Sequence, residues 1–529
     1  MKIIHHARIY TLDPHHPSAS AMAIQGDRVV SIGSDQEIQA SFSAKAKDGE
    51  SIDAGGKAII PGLIDAHIHL QWYALGLQKV DCETPSRAEC LQRVAERAQI
   101  TPPGEWVIGH GWNQNEWAEG FGTADDLDRA APLHPVYLTA KSLHAAWANH
   151  SALIKGGITP ETADPAGGRI GRNEDGSLNG ILFESAMDLI DQALPQPEPG
   201  QIRRAIQDAQ PILWRMGLTG IHDYDGRDCF SALQALHLEN KLHLRVVKGV
   251  PLDLLPHAVA LGLRSGFGDD MLRIGSVKAF ADGALGPQTA AMIQPYENSP
   301  DNRGMLLMDA EELYEHGRLA VQNGLSMAVH AIGDRANHEV LNGFAQLREL
   351  ERGENGGKPR LRHRIEHVQL LHPGDLGRLA ELGVIASMQP IHATSDMIGA
   401  DRHWGKRAAY SYAWRSQLEH GATLAFGSDA PVESPNPFWG IHAAVTRRRL
   451  DGSPGPEGWY PEQRLTVMEA IQAYTTGAAY AAGMEDRLGK LAPGFLADLL
   501  WLDHDPFQCP ADELRDIQPL RTMINGQWV

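Results

Sequence analysis

Pro61-Gly-Leu-Ile-Asp-Ala-His-Ile-His69 is the stretch that decides how this chain folds. An apolar run ends in two histidines one residue apart. On a strand, where the side-chain period is two, both imidazoles point to the same face. The pair can therefore share one metal ion. Further along, Lys278, His330, His367 and Asp429 lie in short apolar stretches of the same character: Val277-Lys-Ala-Phe-Ala-Asp282, Met327-Ala-Val-His330, Arg364-Ile-Glu-His367 and Ala425-Phe-Gly-Ser-Asp429. Polar chemistry gathered at the carboxyl ends of successive strands is what a (β/α)8 barrel produces.

Working outward, eight candidate barrel strands can be counted: residues 62–69, 218–223, 244–247 and 274–280, two strands ending at His330 and His367, then 384–388 and 422–427. Helical segments lie between several of them. One begins near Ala310 and ends on Gly324 as a C-cap glycine, and Thr466-Val-Met-Glu469 is a capping-box start. The alternation of strand and helix predicts an α/β fold with a parallel sheet closed into a TIM barrel. Strands one and two, however, are separated by about 150 residues, far more than an ordinary βα loop. An insertion at about 80–215 is expected there. Its Trp106, Trp112, Trp117 and Trp147, mixed with glycines, read as a folded cap over the barrel mouth. The remaining chain, 61–484, is the barrel.

Both ends of the sequence, 1–60 and 485–529, alternate short β-like segments with turn signals. Neither has enough strands or apolar surface to stand alone, so together they should form one small β-sandwich-like domain. The formal charge of −19 disfavours nucleic acid and anionic membranes as partners, since neutralising phosphates needs a basic face. Four cysteines without CxxC spacing point to neither a disulfide framework nor a thiolate zinc cluster. The start of the chain lacks the apolar core of a signal peptide, and no run approaches a membrane span. A cytoplasmic location and a small-molecule substrate are expected.

Several motifs carry a resemblance. Pro61–His69, Gly427-Ser-Asp429 and Leu491-Ala-Pro-Gly-Phe-Leu-Ala-Asp498 are similar to the opening strand, eighth strand and closing β-segment of the amidohydrolase superfamily. His144-Ala-Ala-Trp-Ala-Asn149, Gly167-Gly-Arg-Ile170, Lys278-Ala-Phe-Ala-Asp-Gly283, Asn302-Arg-Gly304 and His330-Ala-Ile-Gly-Asp334 resemble its amidohydrolase-3 group, which includes N-substituted formamide deformylases. The likeness runs over nearly the whole chain. It implies one or two divalent ions, zinc first among them, held by His67, His69, Lys278, His330, His367 and Asp429. Resemblance to dimeric barrels implies a homodimer.

An isolated HxH in a chain with 25 histidines would most simply be two core residues; its place after a buried strand, with further ligands following, reverses that reading. Lys278 beside two cations must be neutral or carry a carbamate formed with carbon dioxide; the other reading pairs it with Asp282. Glu366 should face away from His367 along its strand and is not counted as a ligand. Asp334 reads as a loop or helix-cap residue. Asp429 has the catalytic role, taking a proton from an activated water and returning it to the leaving amine. His144, His222, Arg303 and Trp112 are candidates for substrate contact. The expected reaction is hydrolysis of a non-peptide carbon–nitrogen bond, an N-formyl or N-acyl amine. Lactone, ester or phosphotriester hydrolysis on the same scaffold is the enzymatic alternative, and a catalytically silent metal-binding protein the alternative from another class.

Overall fold

The computed structural model describes residues 1–42, 50–114, 117–140, 145–297, 299–354 and 361–529. It divides into two compact units, Met1–Tyr73 with Ile206–Val529, and Ala74–Ala205. In the larger unit eight strands form one sheet in chain order: β1 (Leu63–Ile68), β2 (Leu218–Asp223), β3 (Arg245–Pro251), β4 (Leu272–Phe280), β5 (Met327–Ala331), β6 (Arg364–His367), β7 (Ile385–Met388) and β8 (Leu424–Phe426). Neighbouring pairs from β1·β2 to β7·β8 are parallel. A parallel bridge between Ile68 and Ala430 joins the last strand back to the first, and the Asp429 N–H donates to the His67 carbonyl at 2.7 Å. The eight expected strands are all present, closed into a barrel.

β3 runs longer than its sequence pattern. It continues through Lys248 to Pro251, because the charge that interrupts its apolar run is buried against Asp223 at 2.9 Å. Val250 and Pro251 can then pair with Val277 and Lys278 of β4. The two helix signals act as read: Asn323 is the C-cap of Ala310–Gln322 with Gly324 at φ +74°, and Thr466 and Glu469 form the capping box of Val467–Gln472.

The terminal segments form two sheets, one of which interleaves strands from both ends of the chain while the other is built from the amino-terminal segment. Leu499–Leu502 runs antiparallel to Ala58–Pro61 with Leu500 opposite Ile60, and Lys2–His5 lies between Ala21–Gln25 and Ser51–Asp53. Ile4, Ile9, Met22, Ile59, Leu499 and Met523 share one core. Gly62 takes the chain from this sheet into β1. A Cβ there would meet the Thr219 side chain at 2.3 Å, so only glycine fits the crossing.

The insertion folds as the smaller unit, ending at Ala205 rather than near residue 215, because the helix Pro199–Arg215 passes into the larger unit from Ile206 onward. Its described strands form a six-stranded mixed sheet. Trp112, Trp117, Trp147 and Leu138 pack on one side, and Tyr137, Leu153, Leu182 and Ile190 belong to a second cluster. Among the described residues no helix is long and apolar enough to cross a membrane.

Candidate metal centre

At the carboxyl ends of the barrel strands, β1 delivers His67 and His69, β4 Lys278, β5 His330, β6 His367, and the segment after β8 Asp429. Their order in the sheet brings them together. The His67 Nε2 and His69 Nε2 lie 3.4 and 3.5 Å from Asp429 Oδ1, and ligand atoms of all three are within 4.8 Å of one another. The Lys278 Nζ is 3.3 Å from His67 Nε2. The His367 ring centroid stands 5.0 Å from that of His67 and 4.6 Å from that of His330.

Gly427-Ser428-Asp429 owes its composition to this junction. A Cβ on Gly427 would lie 2.4 Å from the His67 backbone nitrogen, so the eighth strand can close on the first only through glycine. Ser428 donates its N–H and hydroxyl to Asp65 at 3.0 and 2.5 Å, and Asp65 also accepts the His67 N–H. Asp429 then takes φ +60° and His367 φ +77°, both left-handed for non-glycine residues. Such backbone persists where surrounding contacts fix it and is concentrated at functional sites.

Each of the four imidazoles is anchored through one nitrogen by a partner outside the ligand set. His67 Nδ1 bonds Glu366 Oε2 at 2.6 Å; His69 Nδ1 bonds Asp225 Oδ1 at 3.0 Å; His367 Nδ1 bonds Gln389 Oε1 at 2.8 Å; His330 Nε2 bonds the Gly283 carbonyl at 2.9 Å. Partners of this kind select the tautomer and ring orientation of metal-binding histidines. The geometry leaves Nε2 of His67, His69 and His367, and Nδ1 of His330, without those bonds.

The electrostatics favour ligand-competent rings. Burial, and next the Lys278 charge, pull His67 and His330 down to about 4, and burial with the neighbouring His330 holds His367 well below its ordinary value. All three are neutral near pH 7. His69 differs: burial acts to lower it, but the bond and charge of Asp225 outweigh this and raise it. Burial would raise Asp429, yet the hydrogen bond from His392 and the imidazole charges hold it well below the usual carboxylate range. Lys278 is pulled down by burial to about 8, against Glu366 and Asp429, which favour its charge. Three neutral imidazoles with one ionised carboxylate fit a borderline divalent cation such as zinc.

Glu366 does not face away from the ligand set as strand alternation with His367 would have it: its Oε2 bonds His67 Nδ1 at 2.6 Å, and His367 itself takes left-handed backbone at φ +77° rather than regular strand geometry. Arg364, one period earlier, pairs with Glu366 at 2.5 Å and also bonds the Ala66 carbonyl and Ser387. Glu366 is thus a fixed anion beneath His67, not a bystander. Lys278 does not pair with Asp282, whose oxygens accept N–H groups of Ala291, Ile332 and Gly333. The Lys278 ammonium instead sits 4.7 Å from the Tyr224 ring centroid. Asp334 opens a helix and accepts the Ile293 N–H.

The residues expected at the substrate fare differently. Trp112 is 1% exposed, its Nε1 donates to the Leu138 carbonyl at 2.8 Å, and its ring belongs to the core of the smaller unit. A tryptophan so enclosed has no face to offer a ligand. His222 is a buried residue of β2 whose Nδ1 accepts from Arg364 at 2.8 Å. It braces the arginine below the ligand set. Arg303 is exposed and donates to the Ile293 carbonyl. His144 lies outside the described residues. The sequence reading missed His392, which sits 3.3 Å from Asp429 and 3.7 Å from Glu433. Those two carboxylates overcome its burial and raise it to about 10. Its only local signal was a histidine shortly after a barrel strand.

Comparison with known proteins agrees with this architecture. The Arabidopsis thaliana protein LONG AFTER FAR-RED 3 is 33% identical over 515 aligned residues, spanning 94% of this chain and 86% of the relative. The N-substituted formamide deformylase of Arthrobacter pascens is 28% identical over 567, spanning 99% and 97%. The crystal structure of an uncharacterized metal-dependent hydrolase from Pyrococcus furiosus superposes with a TM-score of 0.77 at 29% identity, covering 96% of this chain and 100% of that one. The profile of the amidohydrolase family matches residues 50–529. By fold, by sequence and by the order of its barrel-end histidines, the chain belongs to the amidohydrolase family, in its amidohydrolase-3 group.

Proposed function

We propose that the protein is a divalent-metal hydrolase that cleaves a non-peptide carbon–nitrogen bond, releasing a carboxylic acid and an amine from an N-formyl or N-acyl amine. In this reading His67, His69 and Asp429 hold one ion, zinc by preference, and His330 with His367 hold a second, with Lys278 between the two sets. The observation that carries it is the gathering of four imidazoles at the carboxyl end of the barrel, each fixed through one nitrogen by a partner outside the set, with ligand atoms of His67, His69 and Asp429 within 4.8 Å of one another. The kinship to a formamide deformylase over nearly the full length supports the choice of bond.

A bound divalent ion would supply Lewis acidity, polarising the scissile carbonyl and acidifying a water. The chain's own residues do the rest. Asp429, ionised and tethered by His392, takes the proton of the attacking water at its carboxylate and returns it to the departing nitrogen. Glu366 and Asp225 hold His67 and His69 in the tautomers that keep Nε2 free. Lys278, drawn toward neutrality by burial, presents an amine able to take up carbon dioxide as a carbamate.

Amine release by the zinc-reconstituted protein across a panel of N-formyl and N-acyl amines tests the reading, with Asp429→Asn run alongside. Release that disappears in the variant is the expected result. No release from any amide, with turnover of lactones, esters or phosphotriesters instead, would move the activity to carbon–oxygen or phosphorus–oxygen bonds.

A further inference from the structure

A cavity of about 390 Å³ lies at the opposite end of the barrel sheet, where β3 to β6 begin. Its lining includes Arg273, Ser276, Ser326, Arg362, Glu485 and Asp486, with Val247 and Ile274 adding apolar surface. Arg273 and Lys278 belong to the same strand five residues apart, so Arg273 stands roughly 17 Å along it from Lys278 at about 3.3 Å per residue, with Ser276 at the end of the cavity nearer the metal-binding residues.

Arg273 is the telling member. It is only 9% exposed, its Nη2 donates to the Gly266 carbonyl at 3.0 Å, and its Nε and Nη1 have no partner. No carboxylate among the described residues lies within ion-pair distance of it, and the nearby acids are engaged elsewhere. Asp270 is taken by Arg487 at 2.9 Å and Arg28 at 3.5 Å, Asp486 by Arg487 at 2.7 Å, Asp269 by His237 at 2.8 Å, and Glu485 by Arg362. A buried guanidinium left without a counter-charge is costly, and such groups are ordinarily paired. Burial, with the Arg487 charge next, accordingly pulls Arg273 below its ordinary value. Serine hydroxyls beside the one arginine of the lining that has no carboxylate, with the side chains of Val247 and Ile274 in the same lining, suit an anionic head joined to a short hydrocarbon body.

We propose that this cavity is a second binding site, for a small carboxylate anion carrying a short apolar chain, with Arg273 as its charge partner. The site is separate from the metal centre and does not depend on the reaction proposed for it.

Titration calorimetry of the full chain with sodium hexanoate tests this, using metal-stripped and zinc-loaded protein. Saturable binding in both forms is expected, weakened at least tenfold by Arg273→Met. Inorganic phosphate should bind more weakly than hexanoate. Because Arg273→Met alters a buried position, Ala482→Leu provides a second probe: it narrows the cavity, leaves Arg273 in place and should weaken hexanoate. The proposal is overturned by binding that needs zinc and is lost in Asp429→Asn, by hexanoate affinity unchanged from the parent protein in both cavity variants, by phosphate outcompeting hexanoate, or by no saturable binding at all.

Discussion

The two ends of the barrel sheet bury polar groups by opposite rules. At the amino end, beside the terminal sheets, Arg245 of β3 meets Asp498 in a two-pronged pair, Nε to Oδ2 at 2.5 Å and Nη2 to Oδ1 at 2.9 Å. Asn525 adds to the same pair. At the carboxyl end, four histidines are each anchored through one nitrogen from outside the ligand set, and Asp429 and His367 hold left-handed backbone. One end is closed on itself and contributes stability. The other carries strain and open ligand atoms, the condition for binding something from outside. Arg273 is the exception at the amino end, and that exception motivates its assignment as a binding residue.

Breaking the carboxyl end should remove activity without unfolding the chain. The largest effect is expected from stripping metal with a chelator: turnover vanishes and returns with added zinc, read as amine release before and after reconstitution. Asp429→Asn should lower kcat by about 10² to 10⁴, the range a positioned proton-transfer group supplies. Its urea unfolding midpoint should stay near that of the parent protein. Glu366→Gln and Asp225→Asn act one step further out and should each cost about 10- to 100-fold in metal affinity or activity. Competition with a chromogenic chelator measures this, and unchanged metal affinity in both would deny them an orienting role.

The amino end should behave in reverse. Arg245→Met leaves Asp498 buried without its cation and should cost about 3–5 kcal/mol in chemical denaturation, while kcat per folded molecule is preserved. Loss of kcat without loss of stability would erase the distinction between the two ends. The smallest effect is expected from Thr466→Ala, which removes one helix cap and should cost about 1 kcal/mol, leaving activity untouched.

Much of the barrel could be read locally because its signals are local. An apolar run ending in a polar residue describes a buried strand delivering a side chain at its tip, and this located β1, β5 and β6 and the Asp429 position. The reading shortened β3 at Val247 because Lys248 looks like a surface residue until Asp223 is brought against it from β2. In the smaller unit the tryptophans marked a folded segment correctly. Their placement was another matter: whether an indole such as Trp112 faces a core or a ligand depends on which sheet covers it, and local sequence carries no trace of that.

The sequence by itself determined the α/β barrel, the order of its histidines, lysine and aspartate along the strands, and the kinship that follows from them. Strand periodicity and turn chemistry act over a few residues, so they survive in one dimension. Only the tertiary structure decided which nitrogen of each histidine is anchored outside the ligand set. Glu366 reaches His67 across 299 residues and Asp225 reaches His69 across 156. Closure of the barrel makes those distances small. It also leaves Arg273 alone at the other end, with every neighbouring carboxylate already taken.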